Sequence, residues 1–197
     1  MSKDHEQRRD LMREQLAHHA ARLMAEDGIT DYAFAKRKAA KQMGAADTHH
    51  LPSNKQVDEA LRSFRFLYQS TSHPTILRQL REQALTAMHL LAPFHPYLTG
   101  SVLNGTAGEH SDINLSVYSD DEKAVMMFLL KHELPFESGE WRTHLAGRPQ
   151  VLPSFTLKAK QGVPVHVIVL PDSALHSGNR KSETHADAAA VKALLAG

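Results

Sequence analysis

Cysteine is absent from this chain of 197 residues. That removes disulfide scaffolds, thiolate-bound zinc, iron–sulfur clusters and thiol catalysis together. Long apolar runs are missing too. The longest, Ala124 to Leu130, falls far short of the ~20 residues that a membrane helix needs. The N-terminus, MSKDHEQRR, is too charged for a secretory signal. No charge of one sign dominates, since Lys and Arg number 23 and Asp and Glu 22, for a net charge of +1. Such a balance advertises neither a nucleic-acid nor a membrane partner. Aromatic residues are scarce, at 6%. The basic clusters Arg8–Arg9 and Lys36–Lys38 therefore have no stacking platform beside them and read as solvated helix faces. The expectation is a cytoplasmic protein of ordinary globular composition, 42% apolar and 23% charged.

What is present falls into two patterns. The first half is helical in spacing. Met12, Leu16, Ala20 and Leu23–Met24 recur on one face until Gly28, and an Ala/Lys-rich helix follows from Asp31 to Met43, ended by Gly44. A polar loop, Ala45 to Pro52, leads to an N-cap at Ser53 or Asn54. Val57, Leu61, Phe64 and Tyr68 form the next stripe, and Leu77, Leu80, Ala84, Met88 and Leu91 another in a helix opening at Pro74. After Pro93–Pro96 the period shortens. Tyr97–Thr99 leads into a glycine turn, and Ile113, Leu115 and Val117 alternate with polar residues as a strand does. A helix capped by Asp120–Asp121 follows, then a hairpin of Val151–Lys158 and Val163–Leu170 turning at Gln161–Gly162. The stretch 172–187 is polar and expected to be mobile, with a short Ala/Leu-rich helix after it. The fold class is α+β: a helical region over 1–93, a small mixed-sheet core with flanking helices over 94–171, and a polar tail over 172–197.

One stretch stands above this background: Gly100 to Val117 reads GSVLNGTAGEHSDINLSV. Residues two apart on a strand share a face, so Asp112, Asn114 and Ser116 point one way and Ile113, Leu115 and Val117 the other, into a core. A Gly-Ser turn offers backbone N–H groups and a hydroxyl to phosphate oxygens. A carboxylate facing it could hold Mg²⁺ between protein and phosphate. Gly100, Gly105 and Thr106 partly fit a P-loop, but Thr106–Ala107 stands where Lys-Ser/Thr is required, so that reading is rejected. The bland alternatives stay open beside the chemical one. Gly100 and Gly105 could serve tight turns, Asp112 could cap a turn with Ser111, and His166 could be a structural histidine.

The same eighteen residues resemble the nucleotidyltransferase superfamily of polymerase-beta-like fold, especially its minimal bacterial members. The signature there runs approximately G-S-x-A-R-G-x-A-x-x-x-S-D-I-D-L-x-V. This chain matches it without a gap at Gly100, Ser101, Gly105, Ala107, Ser111, Asp112, Ile113, Leu115 and Val117. The resemblance implies that Gly100, Ser101, Gly105 and Ser111 serve the nucleotide and that Asp112 is the first metal-binding carboxylate. In the superfamily three carboxylates hold two Mg²⁺ ions, which orient the triphosphate and activate the attacking hydroxyl. Here Asn114 stands at the second position, and the candidate for the third is His166. Imidazole suits zinc or nickel better than magnesium, and an amide brings no charge.

Two functions follow from the resemblance. One is a protein that keeps a fold for nucleoside triphosphate and Mg²⁺ or Mn²⁺, with an eroded catalytic site and a binding or regulatory role toward a protein partner. The other is an active nucleotidyltransferase. The histidines, 14 in all and including His18–His19 and His49–His50, show no zinc-site spacing. No G-x-S-x-G elbow supports a hydrolase built on Ser101.

Overall fold

The structure, a computed structural model, describes residues 2–45, 51–69, 72–145, 148–159, 162–176 and 184–196. Most of the expected Ala45–Pro52 loop, the pair His49–His50, Gln161 of the expected turn and residues 177–183 lie outside the described residues, as do the side chains of Arg8 and Arg9. The fold is α+β, as the sequence pattern implies. The chain divides into two compact units, Met1–Ile76 with Gly108–Ser111, and Leu77–Ala107 with Asp112–Gly197.

The first unit is helical, with α1 (Ser2–Glu26), α2 (Tyr32–Gln42) and α3 (Asn54–Tyr68). Asp31 caps α2, its carboxylate accepting from the Phe34 N–H. Ser53 and Gln56 close a capping box at the start of α3, which settles the N-cap in favour of Ser53. The core is rich in alanine: Ala17, Ala20, Ala21, Ala35, Ala39, Ala40 and Ala60 are all buried beside Leu16, Val57 and Leu61. Small side chains let helix axes approach closely, so the stripes read from the sequence are packing faces. Tyr68, expected on the α3 stripe, is 74% exposed, and Arg65 is buried instead. The Arg65 Nε and Nη1 atoms have no hydrogen-bond partner among the described residues, and burial pushes its guanidinium below the ordinary value.

The second unit carries a five-stranded mixed sheet in the order β1-β2-β5-β4-β3. Its strands are β1 (Tyr97–Thr99), β2 (Ile113–Tyr118), β3 (Phe136–Leu145), β4 (Arg148–Lys158) and β5 (Pro164–Leu170). Helix α4 (His73–Leu90) precedes β1, α5 (Gly100–Asn104) follows it, and α6 (Glu122–Lys131), α7 (Asp172–His176) and α8 (Ala188–Ala196) complete the elements. Only β2 and β5 run parallel; the other pairs are antiparallel. Ile113, Leu115 and Val117 are fully buried, and Val165, Val167, Val169, Phe155 and Leu157 are buried on the same face. The opposite face has a smaller apolar cluster of Tyr118, Leu152, Ile168 and Leu170, with Ala174 and Leu175 of α7 packed on it. Among the described residues no helix is long and apolar enough to cross a membrane.

Strand β3 has no counterpart in the sequence reading. It is the edge of the sheet, and from Glu137 to Arg142 every residue is exposed. With no buried face to satisfy, it carries no apolar alternation, and its register comes only from pairing with β4. A second difference is α5. The turn expected after Gly100 is a short helix, stopped by Gly105 in a left-handed conformation at φ 80°.

Candidate functional site

The register of the sheet sets out the site. Thr99 on β1, Asn114 on β2, His166 on β5, Thr156 on β4 and Glu137 on β3 stand in one row, each directly opposite the next. Alternation puts these five polar side chains on the face away from the buried Ile113–Leu115–Val117 set. Asp112 lies two residues before Asn114, on the same side.

Asp112 and His166 meet, with 3.0 Å between His166 Nε2 and Asp112 Oδ2. The other imidazole nitrogen, Nδ1, lies 3.1 Å from the Thr156 hydroxyl. With the carboxylate accepting, the proton sits on Nε2, and Nδ1 accepts from Thr156. The pair is part-exposed, at 25% for the His166 side chain and 38% for Asp112, so a ligand can reach it. Among the described residues the Asn114 side-chain oxygen has no hydrogen-bond partner, though it is buried, an exception to the usual satisfaction of buried polar atoms.

Gly100 joins this group from the end of β1. Its φ is 72°, and a Cβ built there would come within 3.1 Å of Asn114 Nδ2. Conformation and space both require glycine. Ser101 follows at the head of α5, and its carbonyl accepts from Gly105 and Thr106. Gly105 lies at the other end of α5, with Arg81 and Leu77 as its neighbours. Ser111 closes a turn with Gly108, exchanging N–H to Oγ at 2.9 Å and N–H to carbonyl at 3.0 Å. The structure thus brings together Gly100, Asp112, Asn114 and His166. Gly105 and Ser111 have local turn roles.

Three residues of this unit escaped the sequence reading. Arg81 on α4 donates to the Val102 and Leu103 carbonyls at 3.2 Å each, holding the end of α5. Burial pushes its guanidinium below the ordinary value. Thr156 holds the imidazole, and Trp141 places its indole 6.0 Å from the His166 ring, tilted by 40°. None belongs to a motif, and nothing local in the sequence marks them.

The donor chemistry decides what metal the site fits. Glu137 stands at the far end of the row, two strands from His166, and the one carboxylate, one amide oxygen and one imidazole that gather at Asp112 cannot neutralise two adjacent Mg²⁺ ions, so the paired-ion arrangement does not fit. Among the described residues no group of three or more His, Cys, Asp or Glu side chains is placed to hold a metal ion.

No protein-family model matches this chain, and no curated protein matches it. Solved structures similar to it include the Cid1 poly(U) polymerase with MgGTP bound, at 16% identity and a TM-score of 0.34, covering 58% of this chain and 39% of that one. A second Cid1 structure, described for its RNA terminal uridylyl transferase activity, is 19% identical with a TM-score of 0.33, covering 58% and 36%. A cytoplasmic RNA terminal U-transferase is 19% identical with a TM-score of 0.26, covering 59% and 30%. This chain therefore spans less than two fifths of each of those chains.

Proposed function

We propose that this chain is a nucleotidyltransferase-superfamily protein that binds a nucleoside triphosphate and has lost the transfer reaction, acting by binding or regulation. The observation that carries the reading is the 3.0 Å contact between His166 and Asp112. A carboxylate at the position of His166 would repel Asp112 and demand a cation between them. An imidazole that donates to Asp112 satisfies the same oxygen without one. The metal-binding pair has become a self-contained hydrogen bond.

Gly100 and Ser101 receive the phosphates in this reading, with Gly105 and Ser111 shaping the flanking turns. Asp112 and the unpartnered Asn114 oxygen take at most one Mg²⁺ or Mn²⁺ ion, weakly, since a single formal charge faces it. Any protein partner would read the loaded state.

Calorimetric titration with ATP, GTP, CTP and UTP, with and without Mg²⁺, tests the proposal, with Asp112→Ala as control. Expected is binding of at least one triphosphate, weakened by the substitution, with no release of pyrophosphate. Absence of binding to all four would overturn the reading. Pyrophosphate release that depends on Asp112 would replace it with an active nucleotidyltransferase.

A further inference from the structure

Trp141 is the sole tryptophan of the chain, and 36% of it is exposed. It stands on β3 opposite Leu152 of β4, whereas His166 stands opposite Thr156, four residues further along β4. The two rings are nevertheless 6.0 Å apart. Between Trp141 and Glu137 on this face stands only Gly139, which puts no side chain in the way. A Cβ there would come within 3.3 Å of Ser154 Oγ. Ser154 and Thr156, opposite Gly139 and Glu137, are small. One side of the Asp112–His166 pair is therefore a low polar floor with a single aromatic wall.

An indole exposed beside a polar hydrogen-bonded pair suits a flat, weakly hydrated ring whose edge stays polar. A nucleobase has those properties, and stacking on tryptophan takes any base because every base has a π-face. We infer that Trp141 is the surface on which the base of the bound nucleotide stacks, beside His166. This rests on the nucleotide-binding reading above and adds the part of the ligand that the phosphate turn does not address.

The intact chain reports on itself, because its tryptophan emission comes from Trp141 alone. The probes are ATP, UTP and inorganic tripolyphosphate, followed by tryptophan fluorescence and by calorimetry. Expected is quenching by both nucleotides and little change with tripolyphosphate. Trp141→Ala is expected to weaken nucleotide binding about tenfold and to leave tripolyphosphate binding unchanged. Trp141→Phe, which keeps an aromatic face, should retain most of the affinity and guards against a variant that fails to fold. If nucleotides bind the wild-type protein without altering its emission, or if Trp141→Ala binds them as tightly as wild type, the stacking role is overturned while the phosphate site stands. If neither nucleotide nor tripolyphosphate binds, the underlying reading falls and takes this one with it.

Discussion

Asn114 stands directly opposite His166 in the parallel β2–β5 pair, so the two positions at which the family resemblance implies a carboxylate and this chain has none are neighbours on one sheet face. Under the proposed function both substitutions would fall in one ligand set. Restoring carboxylates at both, Asn114→Asp with His166→Asp, gathers three acidic groups around Asp112. Mg²⁺ affinity is then expected to rise by about tenfold or more, since charge count tunes hard-cation binding. Calorimetry with Mg²⁺ alone reads it, and unchanged affinity in a folded double variant would show that the third position was misplaced.

Gly100 combines a left-handed φ of 72° with a 3.1 Å approach of any Cβ to Asn114 Nδ2. Gly100→Ala is expected to lower stability by about 1–2 kcal/mol from the backbone conformation alone, before any displacement of Asn114. Urea unfolding measures this, and a variant as stable as wild type would contradict the geometry.

Arg65 is a buried cation whose Nε and Nη1 make no hydrogen bond. Replacing a largely buried charge by an apolar side chain of similar length relieves its desolvation. Arg65→Met is expected to raise unfolding stability by roughly 1 kcal/mol. A marked loss instead would show that the guanidinium has a stabilising partner.

His185 precedes Ala186, which exchanges two backbone hydrogen bonds with Leu98 of β1 at 2.8 and 3.0 Å. Burial pushes the His185 imidazole below its ordinary 6.5. The fold holds it neutral, so the unfolded chain binds more protons and stability rises with pH. The contribution is complete above 6.5 and is lost as pH falls from there toward the folded value. Thermal unfolding followed from about pH 8 to about pH 5 should therefore show a smaller acid loss in His185→Gln than in wild type. Parallel curves would remove His185 from the account.

Much of this molecule was legible in the chain before folding was considered. The helical stripes at Leu16, Val57 and Leu80, a cap at Ser53 or Asn54 and the alternation of Ile113, Leu115 and Val117 all reflect local sequence pattern. Burial of one face writes that periodicity into sequence. The glycines at 100 and 105 were legible for a related reason, because positive φ selects glycine. So was the candidacy of Asp112, from an ordered run of residue types.

The contact of His166 with Asp112, 54 positions apart, was decided only by the tertiary structure, as were Thr156 behind the imidazole, Trp141 beside it and Arg81 on α5. The register of the β2–β5 and β4–β5 pairs brings Asn114, His166 and Thr156 to one row, and no residue within that row signals its opposite number. Strand β3, exposed along most of its length, left no apolar pattern either. Local spacing encodes which face of an element is buried. Which side chains meet on the open face depends on how distant strands align, and that alignment is set by packing on the other side of the sheet.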